Sequence, residues 1–156
     1  MKTITVVGSG IVGLTSALML QEKGFKVSII AKENHKKTLS NKVGAVWFPF
    51  EVHPIAKANI WATLAYTKYE TEVIAGNGVS FIPFMIAYTS ESDTSWTEKL
   101  PKESVREALK SELPLGIDMA KVANVPLAEP PLYLPYLFKR FIDNGGSFEE
   151  REISSL

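Results

Sequence analysis

Three glycines at the spacing G-x-G-x-x-G, in Gly8-Ser9-Gly10-Ile11-Val12-Gly13, are the strongest chemical signal in this 156-residue chain. That spacing suits phosphate chemistry. The first glycine permits a tight turn, the second lets a pyrophosphate approach the main chain, and the third lets a helix and a strand pack closely. A helix starting there offers free amide hydrogens and a partial positive charge. An acidic residue should follow about 20 residues later to bind a ribose, and Glu33 stands twenty residues after Gly13. Lys32 beside it is placed to meet either a phosphate or solvent. The motif by itself does not separate FAD from NAD.

Such a cradle needs a strand before it and a helix after it. Residues 3 to 7, Thr-Ile-Thr-Val-Val, form a β-branched run ended by glycine and predict a strand buried on both faces. Leu14, Ala17 and Leu18 fall at helical spacing between Ile11 and Lys23, and Gly24 stands where a left-handed cap belongs. Val27, Ile29 and Ile30 then complete a strand, helix, strand unit over residues 3–31, whose strands should be parallel. Residues 32–42 are polar and aperiodic and predict a loop. Its Thr38 and Ser40 hydroxyls are either pyrophosphate donors or solvated groups.

Further along, Trp61, Leu64, Ala65, Tyr69 and Val73 predict a helix over 55–74. After the turn Gly76-Asn77-Gly78, residues 79–88 read as a strand, with Pro83 marking an edge. A charged helix is expected over 101–113 and a half-exposed strand over 116–125. A helix over 132–143, a turn at 144–146 and a strand over 147–153 close the chain. The expected division is therefore a dinucleotide-binding part at 1–78, an inserted antiparallel part at 79–127, and a return to the first part at 128–156.

Lysine plus arginine (17) equals aspartate plus glutamate (17), so no overall field recruits nucleic acid or an anionic membrane. The absence of cysteine excludes disulfides, thiolate metal sites and a cysteine nucleophile. His35 and His53 read as surface loop residues without metal-ligand spacing, so no metal is expected. No apolar run approaches the roughly 20 residues that cross a bilayer, and Ile4–Val7 is too short for a secretory signal, which together predict a cytoplasmic protein. Arg106 and Arg140 fall on expected helices as solvated charges, and no catalytic residue is assigned.

The rest of the chain carries a second, rarer pattern. Gly44-Ala45-Val46-Trp47-Phe48-Pro49-Phe50 follows a small-small-x-Trp-x-Pro-aromatic arrangement. With Val6 to Leu14, Ala31-Lys32-Glu33, Leu127-Ala128-Glu129, Tyr133 to Leu137 and the spacing from Gly145 to Phe148, it resembles the D-amino-acid oxidase family of FAD-dependent oxidoreductases. The match spans nearly the whole chain and is weak over 75–125. It implies an α/β fold, with a Rossmann-like FAD-binding βαβ unit on a parallel sheet plus part of an inserted antiparallel α+β substrate domain.

The resemblance implies FAD as cofactor, with Gly8, Ser9, Gly10, Ile11, Val12, Gly13, Thr38 and Ser40 near the pyrophosphate and Lys32 and Glu33 near the ribose. It places Gly44, Ala45, Val46 and Trp47 near the flavin and the backbone of Ile153 near adenine; by type alone, Trp47 is more often a core residue than a cofactor contact. Phe48 stands where the family often has a polar residue and would make a substrate pocket more apolar.

The reaction implied is oxidative deamination of a D-amino acid, with hydride transfer to flavin and peroxide formation. The family's substrate-clamping Arg and Tyr belong to a C-terminal half beyond this chain. The chain alone is therefore expected to be incomplete, and to self-associate or pair with that half. A glycine- or sarcosine-oxidase fragment and a non-catalytic nucleotide-binding module stand as alternatives. An NAD-dependent protein is a further one, against which Gly44-Ala45-Val46-Trp47 speaks.

Overall fold

A computed structural model of the chain describes residues 2–49 and 52–154, and they form two compact units. The first comprises residues up to Ala45, residues 75–78 and residues from Glu129 onward; the second comprises 46–74 and 79–128. Residues 46–74, expected with the dinucleotide-binding part, thus belong with the antiparallel sheet. Their aromatic side chains decide this, because Trp47 and Tyr66 are buried with Trp96, Leu100, Ala123 and Val125 in one core.

In the first unit, strand β1 (Thr3–Val7) leads into helix α1 (Ile11–Glu22) and strand β2 (Lys26–Ala31). Helix α3 (Pro130–Asp143) and strand β7 (Ser147–Glu150) complete it. The parallel sheet has the order β1-β2-β7, with Thr3 opposite Lys26 and Ser28 opposite Ser147. The apolar stripe of α1 (Leu14, Ala17 and Leu18) is buried, as are Leu134, Leu137 and Phe141 of α3. Each such side chain contributes about 1.5–3 kcal/mol on leaving water. Pro130 and Pro131 open α3, where their missing amide hydrogens cost nothing.

Strand β1 departs from its expected burial on both faces: Thr3, Thr5 and Val7 are exposed, Val7 at 56%. Its exposed residues alternate with the half-buried Ile4 and Val6, so only one face of this edge strand is covered. Strand β7 ends at Glu150 rather than Ile153 because its partner β2 runs out: Ala31 faces Glu150, and the Arg151 amide makes a last bond to the Ala31 carbonyl at 2.8 Å.

The second unit holds helix α2 (Ile55–Thr71) and strands β4 (Val79–Ala87), β5 (Val105–Glu107) and β6 (Ala120–Ala128), and takes in Val46 of a short strand β3 (Ala45–Val46). Its sheet has the order β3-β6-β4, with β5 also on β6, so Pro83 lies on an edge strand as its chemistry requires. The expected helix over 101–113 is absent. Residues 102–104 and 110–112 are single 3-10 turns flanking β5, whose Val105 faces Ala123 and packs on the core. Burial of Val105 and pairing with β6 outweigh a modest helix propensity. Strand β6 starts four residues later than expected, because Pro114 to Ile117 form a turn closed by a 3.1 Å backbone bond.

Candidate functional site

The glycine cradle forms where β1 hands over to α1. Gly8 adopts φ +107°, a conformation open to glycine at little cost, and its amide donates to the Ile30 carbonyl at 2.9 Å. A Cβ on Gly13 would lie 2.0 Å from the Gly8 carbonyl oxygen, so the strand and helix approach as closely as they do because Gly13 has no side chain. A Cβ on Gly10 would meet Ser40 Oγ at 2.9 Å. Helix α1 has no side-chain cap and no acidic residue in its first turn. Beyond the Ile11 amide, which Ser40 engages, its N-terminus keeps a favourable dipole for an anion.

Segment 32–42, expected as a loop, consists of two 3-10 turns, His35–Lys37 and Leu39–Lys42. It brings Ser40 to the cradle, where Ser40 Oγ accepts from the Ile11 amide at 3.2 Å and keeps its own proton to donate. Thr38 is turned inward, its hydroxyl donating to the His35 carbonyl at 2.8 Å. Ser9 is buried and donates to the Glu33 carbonyl at 2.6 Å, tying the glycine loop to the end of β2. The Glu33 side chain is exposed beyond that point. Lys32 is exposed but engaged with Glu152 at 2.7 Å, a pairing that raises its pKa and draws it from any phosphate.

His35 overturns its reading as a surface residue. It is buried and stacked on Phe138, with ring centroids 4.4 Å apart. Burial, reinforced by Lys36, holds its pKa below the ordinary histidine value. No periodicity or motif marked it, because its partner stands over a hundred residues away in the chain.

Gly44 is exposed and Ala45 half-buried. In the second unit, Val46 is exposed, while Trp47 is a core residue whose indole donates to the Ala62 carbonyl at 2.8 Å. Phe48 packs edge-on against Trp96 at 5.2 Å and Phe84 at 5.7 Å. With His53, Asn59, Ile86, Trp96 and Lys121 it lines a cavity of about 340 Å³ within that unit. Phe50, the last residue of the aromatic pattern, lies outside the described residues. Ile153 is half-buried in irregular chain beyond β7.

Neither arginine lies free in a site. Arg106 is on β5, not on a helix, and makes a two-pronged pair with Glu112 at 2.7 and 2.8 Å. Arg140 is on α3 and bonds Glu22 at 3.0 Å. Among the described residues no group of acids and histidines could hold a metal, and no helix is long and apolar enough to cross a membrane.

The family described as FAD binding domain matches residues 3–72, the stretch that contains the glycine cradle. D-amino-acid oxidases from Rubrobacter xylanophilus and Streptomyces coelicolor are each 32% identical to this chain, over 97% and 98% of it. The chain is thus similar over nearly its whole length to D-amino-acid oxidases, and residues 3–72 match an FAD-binding domain. The chain spans about half the length of the curated relatives it matches, 47% and 48% for these two. Among solved structures, L-α-glycerophosphate oxidase from Mycoplasma pneumoniae gives a TM-score of 0.77 at 16% identity, over 99% of this chain and 47% of that one. Glycine oxidase from Bacillus cereus gives 0.66 at 12% identity, over 99% and 49%. These two show a shared fold.

FAD fits the residues of this FAD-binding region. The backbone leaves no room for a Cβ at Gly13, the α1 N-terminus has no acidic side chain in its first turn, and Ser40, on the Ile11 amide, offers its hydroxyl proton beside it. A pyrophosphate meets donors there and no carboxylate in the helix's first turn.

Proposed function

We propose that this chain is the FAD-holding half of an amino-acid oxidase, acting on a small amino acid once the remainder of the enzyme is present. The observation that carries this is the α1 N-terminus free of acidic side chains, with Gly13 packed against Gly8 and Ser40 on the Ile11 amide at its rim. Gly8 to Gly13 hold the pyrophosphate through main-chain amides, Ser40 donates to it, and Glu33 accepts from the ribose. Gly44 and Ala45 flank the flavin and the Ile153 backbone meets adenine. FAD, when bound, supplies the acceptor for the substrate's hydride.

Phe48 and the apolar side of its cavity favour an apolar substrate side chain; the volume of about 340 Å³ is at the small end for ligand pockets. No residue of this chain is assigned the chemical step. The names of the oxidases at 32% identity support a D-amino acid as substrate. The fold neighbours keep glycine in view. Exposed Ile60, Trp61 and Leu64 on α2 support association with a second copy or with the rest of the enzyme. We propose a cytoplasmic location, in keeping with the even balance of charge in the sequence.

Flavin fluorescence during titration with FAD tests the reading. Quenching is expected with the parent chain, weakened roughly fivefold to tenfold in Ser40→Ala by loss of about one hydrogen bond. A preparation that stays colourless in excess FAD overturns it. A chain that quenches FAD, yet belongs to a complete protein releasing no peroxide with any amino acid, is the nucleotide-binding module instead.

A further inference from the structure

The first unit buries a titratable ring that the phosphate cradle does not touch. His35 is 6% exposed and lies flat on Phe138 of α3, their planes 25° apart. Phe138 in turn meets Phe148 of β7 edge-on at 5.4 Å. Neither ring nitrogen of His35 has a hydrogen-bond partner among the described residues, although both are buried. A buried polar atom without a partner costs about 1–3 kcal/mol. A phenylalanine would fill the same stack without that cost, so the packing alone does not explain a histidine.

The backbone of the same residue sets the loop. Its carbonyl accepts from Thr38 Oγ1, which closes the reversal between the two turns, and two residues later Ser40 reaches the Ile11 amide. The stack on α3 is thus coupled through five residues to the N-terminus of α1.

We propose that His35 is a positioning residue: its neutral ring docks segment 32–42 on α3, so acidification undocks the segment, withdraws Ser40 and releases FAD. The proposal rests on the glycine cradle holding FAD. Protonation would place a charge against Phe138. The charged groups on the elements around it are Lys36 and Lys37 on its own turn, Lys42 on the next, Lys32 and Glu33 before it, and Lys139, Arg140 and Asp143 on α3. Cations outnumber acids there, and Asp143 is paired with Lys139 at 2.6 Å.

The direction of the effect follows from burial. The ring's pKa in the folded chain is depressed by burial first and Lys36 second. Docking is therefore fully present above the ordinary histidine value and is lost as pH falls through the depressed one.

The decisive comparison is FAD affinity at about pH 7.5 and about pH 5, by flavin quenching, for the parent, His35→Phe and His35→Ala. The parent should lose roughly tenfold or more in affinity on acidification. His35→Phe, which keeps the stack and cannot be protonated, should change less than about twofold, and His35→Ala should be weak at both values. Amide hydrogen exchange over residues 36–42 supplies a readout without FAD, with protection falling at acid pH in the parent and holding in His35→Phe. Equal acid sensitivity in the parent and His35→Phe, by either readout, overturns the proposal. If FAD fails to bind at all while the exchange difference persists, the cofactor reading fails and the docking stands.

Discussion

The two units of this chain use polar atoms differently. The parallel unit buries them singly: Ser9 ties the glycine loop to β2, and the His35 ring, without a hydrogen-bond partner among the described residues, lies against Phe138. The antiparallel unit pairs its charges, in the Arg106–Glu112 pair, in Lys121, which bonds Glu107 at 2.5 Å, and in the buried Glu72, which Lys68 meets at 3.3 Å. Its interior is aromatic, with Trp47, Tyr66 and Trp96 in one core. A unit whose backbone is shaped to bind a phosphate tolerates little added volume, whereas one held by interlocking rings depends on the geometry of those rings.

The sharpest test of this contrast is Gly13→Ala. The new Cβ would stand 2.0 Å from the Gly8 carbonyl oxygen, so the helix must move, at a cost of about 2–3 kcal/mol. FAD quenching should vanish at concentrations that saturate the parent. All three tryptophans (Trp47, Trp61 and Trp96) lie in the other unit. Their emission should stay unchanged at room temperature, and a parallel shift in that emission would break the comparison.

A smaller effect is expected from Trp47→Phe. It removes the indole bond to the buried Ala62 carbonyl and should lower stability to urea by about 1–3 kcal/mol. FAD affinity should stay within about twofold if Trp47 serves the core. A larger loss of affinity would return it to the flavin contacts.

Least of all should follow from Arg106→Lys. The Arg106 guanidinium and the Leu109 amide hold the Glu112 carboxyl down to about 2. The pair's contribution is present above the ordinary glutamate value and is lost as pH falls through about 2. Lysine cannot reproduce the two-pronged contact. Carboxyl NMR titration should show the Glu112 value moving up, with FAD binding unchanged.

Legibility in the sequence tracked how local the determinants are. The run from Gly8 to Gly13 contains its own reason for being a turn between strand and helix, and β1, α1 and β2 lie where periodicity places them. The Pro101 to Leu113 segment has helical composition but is drawn into β5 by Val105 facing Ala123, a partner eighteen residues away. His35 was misread for the same reason, on a longer scale.

The sequence by itself determined the phosphate cradle, because glycine spacing acts on the backbone of the same few residues. It also determined the amphipathic stripe of α1 and the absence of thiol chemistry. Tertiary structure alone decided that β1 is a half-exposed edge, that Lys32 is spent on Glu152, that residues 46–74 join the antiparallel core, and that His35 is buried. Each of these depends on which distant residue arrives to cover, pair or neutralise a group, and burial is set by the neighbours a fold supplies rather than by the residue itself.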